Sequence, residues 1–193
     1  VVELNIEAYD YIKNSDYFWV ERDNNRSVDD TVALVEKHFG WDLSDDILVE
    51  KVNKGDKLSD ELLSFIENFS WEEVKDHMAG LVRNWEFTDW ETMFVAVCDK
   101  RIVGMISVMK TDYYDLPDTC PWVSSLFVDE KYRGKRISEK LVNAANDYLR
   151  KNGFGESYIP TGHVGLFEHY GYHYVNDIKN YGGETDHLYV KTI

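Results

Sequence analysis

The residues best suited to chemistry lie between Lys131 and Lys140. Five cations, Lys131, Arg133, Lys135, Arg136 and Lys140, stand there against a single acid, Glu139, in a chain whose formal charge is −15. The run passes into a sequence with Ile137, Leu141, Ala144, Ala145 and Tyr148 on one side of a helix and Gly153 as its stop. The first turn of a helix offers backbone N–H groups without intrahelical partners and the positive end of the helix dipole. A cationic loop ahead of such a turn is a site for a phosphate-bearing ligand.

The elements that must hold this loop can be read on either side of it. Trp122 to Val128 is an apolar run that enters the loop as a central strand. Before it, MFVAVC and RIVGMISVM, separated by Asp99 and Lys100, predict two strands joined by a tight turn. After the helix, Glu156 to Ile159 is extended. A brief helix beginning at Thr161 or Gly162 runs through His169, Gly171 ends it, and Tyr172 to Val175 and His187 to Val190 supply two last strands. A strand, a long helix and a further strand predict a mixed α/β sheet with a right-handed crossover.

The first half reads as mainly helical. Val1 to Ile6 alternate as a strand, and Glu7 to Tyr17 have helical spacing. Ser27 caps a helix carrying Val28, Val32, Val35 and Phe39, with Gly40 as its end. Short helices are expected from Asp45 to about Val52 and from Ser59 to Phe69. Ser70 and Glu73 have the spacing of a capping box for a helix with Trp71, Val74, Met78, Leu81 and Trp85 on its buried stripe.

A chain of 193 residues with 44% hydrophobic composition can bury a substantial core, so a single domain over 1–193 is expected. No apolar run approaches the roughly 18 residues of a membrane span. The opening residues lack the cationic start and apolar block of a secretory signal, which makes a cytoplasmic location the expectation. Cys98 and Cys120 lie in apolar surroundings without metal-ligand spacing and read as buried reduced thiols. The acidic balance argues against nucleic acid or anionic lipid as a partner.

Taken together, the paired strands with Gly104, the stretch LFVDEKYRGKRISEKL and the stretch HVGLFEHYGY resemble the GNAT superfamily of acyl-CoA-dependent N-acyltransferases, over roughly Thr92 to Val175. The resemblance implies an α/β (α+β) fold: a mixed, mostly antiparallel sheet of about six to seven strands, with a central splayed strand pair and helices on both faces. It implies acetyl-CoA as cosubstrate and no metal. It places pantetheine on the backbone of Leu126, Phe127 and Val128, and the pyrophosphate on the loop of Arg133, Gly134, Lys135, Arg136, Ile137 and Ser138. Acceptor specificity is then expected in the helical portion around 27–88. The acceptor itself is expected to be a primary amine of a small molecule or peptide, with a homodimer as a possible assembly.

Two positions depart from the family pattern. Arg136 and Ser138 stand where it has small residues, and Gly134 alone remains a glycine. Arg136 is expected to adopt an ordinary helical φ with its side chain turned toward phosphate. The tyrosine that protonates the departing thiolate in many members is matched by Phe167, which has no proton to give. Helical spacing offers His163 and Tyr170, four before and three after, as substitutes, and water is a third source.

Direct attack of an amine on a thioester also needs a proton acceptor and an N–H donor for the carbonyl oxygen. A backbone amide near Phe127 or Val128 is the expected donor. Glu168, Asp118 and Glu86 are available as bases without one standing out, and the six tryptophans divide between core and acceptor pocket. A CoA-binding module without catalysis is the competing reading, and an acylase acting on charged tRNA is a third that the acidity disfavours.

Overall fold

The computed structural model describes Thr31, Leu34 and residues 47–193. Thr31 and Leu34 are helical, in keeping with the helix expected after Ser27. The strand expected at Val1–Ile6, the helix at 7–17 and the tryptophans Trp19 and Trp41 lie outside the described residues. The unit from Asp46 to Ile193 is compact. In chain order it contains β1 (Leu48–Lys51), α1 (Lys57–Asn68), α2 (Glu72–Asn84), β2 (Thr92–Cys98), β3 (Arg101–Met109), β4 (Trp122–Val128), a 3-10 turn (Glu130–Tyr132), α3 (Ile137–Lys151), β5 (Glu156–Thr161), α4 (Leu166–His169), β6 (His173–Lys179) and β7 (Thr185–Thr192).

The seven strands form one sheet in the order β1-β2-β3-β4-β5-β7-β6. Only β4 and β5 are parallel, and α3 joins them. The sheet therefore has apolar cores on both faces, as the resemblance implied. On one, Ile137, Leu141, Val142, Ala145 and Leu149 of α3 meet Val108, Val123, Ile159 and Tyr189. On the other, Leu62 and Ile66 of α1 and Met78 and Val82 of α2 meet Met93, Met105 and Phe127. Leu141 and Leu149 are 0% exposed; burying a side chain of that size stabilises by roughly 1.5–3 kcal/mol.

Several local expectations are corrected. The helix expected from Asp45 to Val52 is β1, because Leu48 to Lys51 pair antiparallel with Phe94 to Val97 of β2, and an available sheet edge outweighs local propensity. Helix α1 begins two residues early, since the Asp56 carboxylate accepts the Ser59 amide at 2.9 Å and caps it. The capping box at Ser70 and Glu73 does not form: α2 starts after Trp71 without a side-chain cap, and the Ser70 hydroxyl instead donates to Glu130 at 2.6 Å.

Two irregularities shape the middle of the sheet. Between the pairs Met105↔Phe127 and Ser107↔Ser124, β3 contributes one residue and β4 two, which is a β-bulge at Ser125 and Leu126. Ser125 has φ 51°, left-handed for a non-glycine. The second irregularity is that β4 and β5 share the single pair Trp122↔Tyr158, beyond which the strands diverge. Both are features the family resemblance predicted.

Candidate functional site

The loop between β4 and α3 is built to turn backbone amides in one direction. Gly134 has φ 82° and Arg136 φ 55°, while Lys135 between them stays at ordinary φ. Alternation of this kind makes a concave nest of N–H groups, and α3, with 15 residues, adds its own first-turn donors. No side chain caps those donors. A Cβ at Gly134 would meet nothing within 4 Å, so it is the backbone angle that selects glycine there.

Arg136 does not take the helical φ expected of it. It is the N-cap of α3 in the left-handed region, which closes the nest. Its guanidinium does not reach outward alone either. It pairs with both oxygens of Glu139, at 2.6 and 3.1 Å, and this partner raises its pKa. Arg133 is likewise engaged within the loop. Its Nε donates to the Val128 carbonyl at 3.1 Å and its Nη2 to Glu130 at 2.9 Å. The cations thus shape the loop as well as charge it, and the end of β4 is tied to the nest. Across β4, Gly104 lets β3 approach closely, because a Cβ there would lie 3.0 Å from the Phe127 carbonyl oxygen.

Of the two expected proton donors, one is brought to this loop. The Tyr170 hydroxyl and the Ser138 hydroxyl share a hydrogen bond of 2.8 Å, joining the residue after α4 to the first turn of α3. Lys191 donates to the Tyr170 carbonyl at 2.6 Å and fixes its backbone. His163 is not brought in. Helix α4 covers only Leu166–His169, so His163 lies in the preceding loop, exposed, and the helical spacing that linked it to Phe167 does not apply. Gly165, at φ 90°, is the N-cap that delays the helix. Phe167 is 4% exposed and packs edge-on against Tyr170 and Tyr172.

Of the three carboxylates considered as bases, two are engaged elsewhere and the third is exposed. Glu168 accepts the Tyr189 hydroxyl at 2.9 Å, and its own backbone amide, then that hydroxyl, hold its carboxyl below the ordinary value. Glu86 accepts the Asn84 amide at 3.0 Å, and Asp118 is exposed. Trp122 is a core residue stacked on Tyr114, with ring centroids 5.6 Å apart; Trp85 packs against Phe87 and Trp90 against Phe154. Cys98 is buried as expected, but Cys120 is half-buried. Among the described residues no group of His, Cys, Asp and Glu is placed to hold a metal ion, and no helix is long and apolar enough to cross a membrane.

Sequence reasoning missed Asp112. It follows β3 and lies against β4, and one of its carboxylate oxygens accepts the Tyr113 amide at 2.6 Å. The other, Oδ2, is enclosed and has no hydrogen-bond partner. Burial raises its carboxyl above the ordinary value, opposed by the Ser124 hydroxyl, the Tyr113 amide and His77, while Asp186 adds to the rise. The Ser124 hydroxyl influences Asp112 without closing a bond of normal geometry to Oδ2, its hydrogen-bond neighbour being Ser107 at 3.3 Å.

A sheet split beside a helix-capped amide nest is the architecture of an acyl-CoA-dependent transferase. Residues 58–172 match the acetyltransferase (GNAT) family, and the chain belongs to that family. N-acetyltransferase 8 from Homo sapiens is 25% identical over 109 residues, which cover 54% of this chain and 48% of that protein. The chain thus matches about half the length of this relative. Among solved structures, an aminoglycoside 6'-N-acetyltransferase complexed with coenzyme A aligns with a TM-score of 0.59 at 18% identity, covering 75% of this chain and 96% of that one. The polyamine N-acetyltransferase of Drosophila melanogaster aligns at 0.57 and 16%, covering 77% and 100%. YhbS of Escherichia coli, in complex with CoA, aligns at 0.58 and 19%, covering 76% and 81%.

Proposed function

We propose that this chain transfers an acetyl group from acetyl-CoA to a primary amine of a small molecule or peptide by direct attack of the amine on the thioester. The observation that carries the reading is the amide nest of Gly134 to Ser138, at the start of α3 and past the C-terminal end of β4, the end at which β4 has parted from β5. The pyrophosphate would be held by the amides of Lys135 to Ser138, with Arg133 and Arg136 supplying charge. Pantetheine, which carries two amides, would lie along Leu126, Phe127 and Val128, where β4 has left its neighbour and its backbone can pair with a guest. A β4 amide beside the bulge would then face the thioester oxygen as charge grows on it. Tyr170 is the proton donor to the departing thiolate, held in place by Ser138.

The solved neighbours act on aminoglycosides and polyamines by their names, which favours a small cationic acceptor. The test is a thiol-release assay with acetyl-CoA over a panel of primary amines, run beside a thermal-shift titration with CoA. At CoA near 100 times its Kd, a rise in stability of about 2.7 kcal/mol is expected. Acceleration of thiol release by at least one amine is the expected result. No shift at saturating CoA would overturn CoA binding, and a shift without turnover of any amine would overturn the transfer.

A further inference from the structure

Asp112 stands apart from every other carboxylate among the described residues. Its surroundings combine acidic and polar groups with an apolar cluster. Tyr114, two residues on, donates to Asp186 of β7 at 2.8 Å, and Asn180 reaches the same oxygen at 3.5 Å. Asp186 Oδ1 lies 3.6 Å from where a Cβ on Gly162 would be, so this carboxylate sits just past the end of β5, on the side where β5 has parted from β4. By strand alternation Asp186 shares a face with Leu188, which packs on Trp122 in the cluster that includes Met109 and Tyr114. His77 of α2 influences Asp112 from the same side. On that side the Ser125 hydroxyl, at the bulge, also meets Met78 of α2 at 3.4 Å.

Two carboxylates, linked through the segment that carries Asp112 and Tyr114, are therefore held on the side of β4 that bears the bulge. No Lys or Arg among the described residues forms an ion pair with either. Enclosing a carboxylate oxygen without a partner costs free energy that a cation would recover.

We propose that Asp112 and Asp186 receive the ammonium group of the acceptor, and that Asp112 takes the proton the amine must lose before it attacks. The inference rests on the acetyl-transfer reading above and assigns its acceptor subsite. Half-buried Asp186 meets the incoming cation. Asp112 belongs to the segment 110–116, which is tied to the β6–β7 turn by the isolated bridge Tyr114↔Asn180 and by the Tyr181 amide donating to the Tyr113 carbonyl. The Tyr114 hydroxyl also ties it to Asp186, so an amine that takes Tyr114's place on Asp186 reaches the segment that carries Asp112.

The proton moves from nitrogen to Asp112 and on to solvent. The freed electron pair forms the C–N bond as the C–S bond breaks, and the thiolate is protonated by Tyr170. The nitrogen's second proton leaves through solvent and restores Tyr170. A carboxyl raised by burial is better suited to this exchange near neutrality than an exposed one. The groups facing it are His77 from α2, Asp186 from β7, Ser124 from β4 and Tyr114 from its own segment.

The test compares wild type with Asp112→Asn and Asp112→Glu, using agmatine, spermidine and kanamycin as acceptors. Thiol release is followed across pH, and amine binding to the CoA-saturated protein is measured by calorimetry. Asp112→Asn is expected to leave CoA affinity within twofold and to lower kcat/KM by at least 100-fold. It is also expected to abolish the acid limb of the kcat/KM profile and to weaken amine binding at least tenfold. Asp112→Glu, which keeps the charge, is expected to recover part of the rate. A kcat/KM within threefold of wild type with the acid limb in place would overturn the proposal.

Should the wild type bind CoA but turn over none of the amines, acetyl transfer fails and calorimetry alone decides the subsite. Amine binding that Asp112→Asn weakens tenfold upholds it. Equal binding by both proteins, or no binding to wild type, overturns it. An Asp112→Asn protein that no longer binds CoA is replaced by Asp186→Asn in the same measurements, with the same tenfold criterion.

Discussion

Gly104→Ala adds one methyl group where β3 and β4 touch, and its cost can be worked from three distances. The new Cβ would lie 3.0 Å from the Phe127 carbonyl oxygen, 3.3 Å from Leu141 Cδ1 and 3.3 Å from Val128 Cγ2. The first neighbour is backbone in a paired strand, and the second belongs to a side chain that is 0% exposed, so neither gives way freely. Overpacking of this kind costs about 1–3 kcal/mol. Gly104 does not have positive φ, so alanine also restricts the unfolded chain and returns about 0.4–1 kcal/mol. The net loss is about 1–2 kcal/mol, or a fall in Tm of roughly 5 °C for a domain of this size.

Differential scanning calorimetry reads this directly, with Gly80→Ala as the control. Gly80 lies inside α2 with nothing within 4 Å of its would-be Cβ, so alanine there should stabilise by roughly 0.5–1 kcal/mol. The displaced atoms belong to the end of β4 and to α3, so Gly104→Ala should also shrink the thermal shift given by CoA. A Gly104→Ala protein that melts at or above wild type would refute the packing argument.

Three further outcomes are expected. Glu139→Gln releases the Arg136 guanidinium from its bidentate partner and should tighten CoA binding two- to fivefold at low salt, with a steeper salt dependence, as read by calorimetry; unchanged or weaker binding would deny Arg136 a part in holding phosphate. Tyr170→Phe should lower kcat about 100-fold with CoA affinity retained, since loss of a general acid costs about 10²–10⁴ in rate, and Ser138→Ala, which only loosens that hydroxyl, should cost less. Tyr172, whose hydroxyl lies in a buried network with Asn146 and Ser157, has its pKa pushed up to about 12 by burial. A raised folded-state value means its contribution is fully present below pH ~10 and is lost as pH rises from there toward 12, so the urea midpoint should fall across that window, by up to about 3 kcal/mol in stability, and Tyr172→Phe should flatten the slope.

The sheet from β2 onward and helix α3 were legible because their signals are local: alternating Val and Ile runs, a 3.6-residue apolar stripe and a glycine stop. The nest was legible as charge followed by a helix start. What could not be read was settled by partners distant in sequence. Residues 48–51 became a strand because β2 offered an edge, and Ser70 left its expected cap for Glu130, 60 residues away. The ion pair of Arg136 with Glu139 lies at a spacing a helix makes common, but the left-handed φ that precedes it has no signature in an arginine. Asp112 was one acid among 36, and its burial depends on β4, β7 and α2 converging on it. No local pattern marks a carboxylate for burial.

The single pair Trp122↔Tyr158 gives this sheet four borders instead of two, with two of them facing each other in its interior. Open strand borders elsewhere invite pairing with foreign chains, and proteins blunt them with charge, proline or a covering element. Here the inward borders have the Ser125 bulge on one side and Pro160 on the other, each interrupting the regular row of donors that another strand would need. An opening that would be an aggregation hazard on the outside of a sheet is thereby set inside it.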